Sequence, residues 1–250
     1  MTTWTRRPAR FSYFPKHSTP STISPQLPPC PTSKMTGSHS PSEIISVLLR
    51  VAEERIVPLT EEGVSSGSKV FGAAVLARDD LRALTVATND ERVSPLLHGE
   101  INCIQQFFAS PSEGRPATKD CVLFSTHEPC SLCLSGIAWA GITEFYYMFT
   151  YEDSRDLFSI PYDIDILEEV FRVRAPGDTA ETLAARPLYN PKNKFFTAIS
   201  LGELLGQIAD EEERKKWAGE VARVRELYKA LDETYQEGKK AGTESASVWK

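Results

Sequence analysis

Four residues in two short runs carry most of the chemistry open to this sequence. His98-Gly99-Glu100 sets an imidazole and a carboxylate two positions apart, and Pro129-Cys130-Ser131-Leu132-Cys133 sets two thiols three positions apart. At the start of a helix, residues three apart share a face, so the thiolates of Cys130 and Cys133 can point at one metal ion. The positive end of the helix dipole favours the thiolate forms that a metal requires. Pro129 suits a helix entry, where a missing N–H costs nothing. His98 makes a third ligand. Structural zinc normally takes four protein ligands, whereas three leave a position for water, whose pKa then falls toward neutrality. Glu100 can reach such a water without binding the metal, take its proton and hand it on. The chemistry is metal-assisted hydrolysis. A lone H-x-E is common, a lone C-x-x-C also serves redox centres, and Glu100 by itself reads as a solvated helix-end carboxylate; the combination is specific. His127, just before the cysteines, has a tether too short to turn inward, and Cys103 and Cys121 have no suitably spaced partner.

The elements that must position these residues alternate. Residues 42–57 hold an apolar stripe at helical spacing behind an N-cap serine. Residues 70–76 and 84–88 read as strands joined by a tight turn at Asp79-Asp80. Then come a helix over 97–108, a strand over 121–125, a helix over 130–139, a strand over 144–150 and a helix over 164–171. This order predicts an α/β fold, a three-layer α/β/α sandwich around one mixed sheet of about five strands. The domain carrying the site is expected over 42–173. Residues 174–250 form a C-terminal extension with a charged helix over 211–240, whose stripe is Trp217, Val221, Val224, Tyr228, Leu231 and Tyr235. Fewer than three heptads are present, so the helix is expected to dock on its own domain rather than form a coiled coil.

Composition bounds the function. Residues 1–42 carry five basic groups and no acid, leaving 23 Lys and Arg against all 34 Asp and Glu, a net charge of −11, over the rest. A body that acidic repels phosphate backbones, so nucleic acid is not the expected partner. No run is long and apolar enough for a membrane span. Five cysteines, an odd number with one close pair, do not read as a secreted disulfide framework; an intracellular, cytoplasmic protein is expected. Residues 1–41 hold eight of the seventeen prolines and almost no apolar periodicity. They read as a disordered tail, or alternatively, being basic and acid-free, as a mitochondrial transit peptide.

The paired motifs H-x-E and P-C-x-x-C form the signature of zinc-dependent deaminases. With them in place, the sequence resembles the cytidine deaminase-like superfamily over about residues 42–173. FGAAV at 71–75 resembles its first core strand and LHGEI at 97–101 looks like fungal-type cytosine deaminases. CSLCLSGIAW at 130–139 looks like guanine and tRNA adenosine deaminases. The resemblance implies zinc on His98, Cys130 and Cys133, and Glu100 as the catalytic proton shuttle. It also implies base-binding by Asn89, whose plainer reading is a strand-end turn residue. Phe71, Trp139 and Tyr151 are aromatic candidates for stacking on substrate, although the first two are rather expected in the buried core. The implied reaction is hydrolytic deamination of a small-molecule nucleobase, nucleoside or nucleotide, cytosine-, cytidine-, dCMP- or guanine-like, by a homo-oligomer. The alternatives are a tRNA adenosine deaminase and its catalytically silent zinc-binding partner subunit. The acidic run 151–156 fits no particular subfamily.

Overall fold

A capping box starts the chain's first helix. Ser40 Oγ accepts from the Glu43 N–H, while the Glu43 carboxylate accepts from the Ser40 N–H at 2.7 Å. The computed structural model describes residues 39–245 and 247. Nearly all of the segment read as a tail or transit peptide, and Cys30 with it, lies outside the described residues. Helix α1 (Pro41–Val51) passes through a π-type turn (Ala52–Ile56) into α2 (Val57–Ser65). The sequence pattern ends this helix near Val57; instead it widens and continues. Pro58 has no N–H for the carbonyl four residues back, and the wider turn just before it relieves that clash.

The sheet runs β2-β1-β3-β4-β5. Strand β1 (Gly72–Ala77) is antiparallel to both β2 (Ala83–Thr88) and β3 (Cys121–His127). Strands β3, β4 (Glu144–Phe149) and β5 (Thr197–Ser200) run parallel. The sheet is mixed, as expected. Helix α3 (Gly99–Ala109) follows β2, and α4 (Ser131–Ala140) crosses from β3 to β4. After β4 come α5 (Tyr151–Phe158), α6 (Tyr162–Ile166) and α7 (Ala180–Ala184); α8 (Leu201–Gly206) and α9 (Glu211–Ala241) follow β5.

The two-residue period of the strands sorts the side chains into two cores. The register aligns Val86, Ala74, Phe124, Tyr146 and Ile199 across the five strands. All five pack against α1, α2, α8 and α9. The opposite face presents Ala73, Val75, Leu123, Phe145 and Ala198 to Cys103, Ile104 and Phe107 of α3 and to Leu134 and Ile137 of α4. This is the three-layer α/β/α sandwich the pattern predicts. Two of its parts lie past Val173: β5 completes the sheet, and α9 completes one core. Val221, Val224, Tyr228, Leu231 and Tyr235 of α9 are buried in that core, with Trp217 partly buried against it. The helix docks on its own domain, as the short heptad run suggests. The acidic run 151–156, unplaced by sequence, is α5, opened by a capping box between Thr150 and Asp153.

Candidate active site

The sharp turns into α3 and α4 bring the two motifs together. His98 and Cys130 are the N-cap residues of these helices, both with extended backbone (ψ 156° and 171°), and neither spends its side chain on the cap. Both side chains are therefore free to face each other. His98 Nδ1 lies 3.3 Å from Cys130 Sγ and 3.7 Å from Cys133 Sγ. The three donor atoms lie within 4.8 Å of one another. A tetrahedral zinc with bonds of about 2.3 Å to sulfur and 2.0 Å to nitrogen sets those atoms about 3.6 Å apart. The donor set fits a metal ion.

The site's electrostatics fit one too. The Cys130 thiol is drawn well below its usual pKa, first by the hydrogen bond from Cys133 and then by His98, against the effect of burial. Burial pulls the His98 imidazole down, but Cys130 and Glu100 outweigh it and raise its pKa to about 9. The cluster holds a thiolate and draws positive charge to itself, which a divalent cation supplies. Cys103 and Cys121 behave otherwise: burial raises their pKa values to about 12 and about 11, and they are inert core thiols.

Glu100 is buried behind the triad. Its Oε1 accepts from Ser125 Oγ of β3 at 3.0 Å and its Oε2 from Cys133 Sγ at 3.3 Å. Burial, and then the Cys130 charge, raise its pKa. That places a carboxyl group able to hold a proton beside the sulfur cluster. Gly99, between His98 and Glu100, is there because α3 starts almost in contact with β1. A Cβ at this position would stand 2.8 Å from Gly72 Cα and 3.1 Å from Phe71 O.

Asn89 is buried and touches the same helix start, its Oδ1 accepting from the Gly99 N–H at 2.6 Å. Phe71 is also nearby through its backbone, whose carbonyl accepts from the Asn89 N–H at 3.0 Å. Its ring, however, packs 4.5 Å from the His127 ring inside the α1/α9 core. Trp139 is not core: it is 90% exposed and lines a groove of about 530 Å³ on the outer side of α4. Tyr151 is buried and donates its hydroxyl to the carbonyl of Pro129, so it braces the loop that carries Cys130. His127 turns away from the triad, as its short tether requires. It sits among Phe71, Phe149, Phe158 and Tyr228, with no partner for Nε2 among the described residues.

Sequence reasoning passed over three charged groups near the site. Asp163 of α6 feels the charges of Cys130, His98, Glu100 and Lys69; burial, and then Cys130, raise its pKa to about 7. Lys69 and Glu91 form a buried ion pair of 2.8 Å. No short motif carries these residues, and their contacts arise only when the loops before β1, after β2 and after α5 converge.

Comparison with known proteins agrees with this geometry. Residues 53–149 match the family described as the cytidine and deoxycytidylate deaminase zinc-binding region. The guanine deaminase of Bacillus subtilis (strain 168) is 30% identical over 106 residues, 41% of this chain and 65% of the relative. The chain thus matches just under two thirds of that relative's length. Similar solved structures include a Bacillus subtilis guanine deaminase, at 26% identity over 52% of this chain and 86% of that one, TM-score 0.40. Another is a dCMP deaminase from the cyanophage S-TIM5, at 20% identity over 63% and 97%, TM-score 0.33. The span 53–149, similar to that deaminase zinc-binding region, holds His98, Glu100, Cys130 and Cys133.

Proposed function

We propose that the protein is a zinc-dependent hydrolytic deaminase of a nucleobase, and that its substrate is guanine or a guanine-like purine. The observation that carries the reaction is the buried Glu100 carboxyl within 3.3 Å of Cys133 Sγ, against a His98, Cys130 and Cys133 donor set. Zinc on these three side chains supplies a Lewis acid that makes water nucleophilic near neutral pH. Glu100 takes that water's proton as the water adds to the amine-bearing ring carbon. It hands that proton to the adjacent ring nitrogen, then takes the proton of the hydroxyl now on the carbon and passes it to the amine, which leaves as ammonia as the C=O bond forms and the C–N bond breaks. Ser125 Oγ, donating to Glu100 Oε1, holds the carboxyl in place.

Two observations support the purine. The Bacillus subtilis relative is a guanine deaminase. Asp163, electrostatically coupled to the triad, adds an acidic side chain to the neighbourhood. Guanine carries an N1–H beside its 2-amino group, a donor pair that a carboxylate accepts from, whereas in cytosine the amino group has on the side away from N3 only the C5–H, which offers no such second donor. A net charge of −11 beyond residue 42 disfavours tRNA.

Ammonia release from guanine, adenine, cytosine, cytidine, dCMP and adenosine-containing tRNA tests this directly. Guanine is expected to turn over fastest. Turnover confined to cytosine compounds would refute the purine reading, and none on any substrate would refute the reaction. Glu100→Gln is expected to keep one zinc per chain and lose turnover by about 10²–10⁴-fold. An active Glu100→Gln protein would rule out the proton shuttle.

A further inference from the structure

A continuous line of hydrogen bonds runs from the C-terminal tail to the start of α3. Lys69 Nζ donates to Ser247 Oγ at 2.9 Å and to Glu91 Oε1 at 2.8 Å. The same Glu91 oxygen accepts from Asn89 Nδ2 at 3.2 Å. Asn89 Oδ1 accepts from Gly99 N–H, the residue after His98. Ser68 Oγ accepts from the Glu91 N–H at 3.1 Å, and Ser245 Oγ donates to Glu91 Oε2 at 3.4 Å. The side chains of Lys69 and Glu91 are 9% and 2% exposed. Burying two charges is costly and seldom improves on a well-packed apolar pair. The Asn89 amide supplies a reason for keeping them here.

An amide has two unlike ends, and a half-turn about its last bond exchanges donor for acceptor. At Asn89 neither end can be exchanged. Gly99 N–H is satisfied only by the oxygen, and an ionised carboxylate only accepts, so it is satisfied only by the nitrogen. The second N–H of the amide has no acceptor among the described residues. We infer that Glu91, with Lys69 as its counter-charge, is the positioning residue of Asn89: it locks the amide so that the site offers a substrate base an N–H donor. A base is then selected for carrying an acceptor, a ring carbonyl or an unprotonated ring nitrogen, at that position. This rests on the proposed reaction to the extent that Asn89 meets the base; the locking of the amide does not.

Removing Glu91 alone would leave Lys69 buried without a partner, so the test uses two charge-neutral double variants of the full, zinc-loaded chain. Lys69→Met/Glu91→Gln keeps an acceptor for Asn89 Nδ2, and Lys69→Met/Glu91→Leu removes it. Both lack the ion pair, so stability owed to the pair changes alike in both. Side-chain amide exchange of Asn89, followed by NMR on asparagine-labelled protein, is expected to stay slow in the Gln variant. It should quicken about fivefold or more in the Leu variant, the worth of one net hydrogen bond. On the best substrate of the ammonia panel, the Leu variant should show a similar loss in kcat/KM, carried by KM. Equal amide exchange in the two variants would overturn the inference, as would equal KM values. If no compound turns over even with the native chain, the proposed reaction fails, while amide exchange still decides the positioning.

Discussion

Glu100 and Cys133 are 33 positions apart, yet their side chains meet at 3.3 Å because each sits in the first turn of a helix entering the same space. At this scale the motif residues were readable: spacing alone puts two thiols on one helix face, and the H-x-E pair sets a carboxyl beside a ligand. His127 was readable only in part. Its tether excluded it from the metal, but the ring cluster around it comes from Phe71 just before β1 and from β4, α5 and α9. Burial, and then Arg225, push its pKa well below 6.5, so the folded chain refuses a proton that the unfolded chain accepts. His127 therefore leaves stability untouched above about pH 6.5 and lowers it as pH falls below that value, by up to about 1.4 kcal/mol per pH unit. Urea midpoints measured from pH 7.5 to 5 should fall more steeply for the native chain than for His127→Phe. Equal slopes would mean that the ring is protonated in the fold.

The elements were readable wherever one periodicity held. Strands β1 to β4 and helices α3 and α4 lie within a few residues of their expected places, because each carries its own apolar pattern between turn residues. Strand β5 was missed: four residues, Thr197–Ser200, are too few for alternation to stand out. Its place is set by pairing with β4, which no local pattern encodes. The close approach of α3 to β1 was equally hidden. Gly99→Ala places a Cβ against backbone atoms of Gly72 that cannot rotate aside. It is expected to destabilise by about 1–3 kcal/mol and to weaken zinc binding by displacing His98. Thermal unfolding and metal titration read the two effects, and unchanged zinc affinity would show that the helix start absorbs the shift.

At the scale of the molecule, the sheet and one of its two cores are finished by residues after Val173. Leu231 of α9 is 3% exposed within the core shared with α1 and α2, on the opposite face of the sheet from α3 and α4. Leu231→Ala is expected to cost about 2–5 kcal/mol in unfolding free energy while leaving zinc content and turnover near native values. Lost zinc in a folded Leu231→Ala protein would show instead that α9 and the site move as one unit. The stripe on α9 was plain in sequence, but whether it meets its own domain or a second copy depends on the size of the apolar face the sheet leaves open.

The sequence by itself determined the paired thiols of Cys130 and Cys133, the carboxyl group two positions from His98 and the layered α/β order, because each is written in short spacings that backbone geometry converts directly into shared faces. Tertiary structure decided which way Asn89 presents its amide, that Asp163, Lys69 and Glu91 gather near the triad, and that His127 is sealed among aromatic rings. Those outcomes depend on loops distant in the chain converging where α3 and α4 begin. Charge, burial and hydrogen bonding at that point are properties of the assembled neighbourhood, and no single segment carries them.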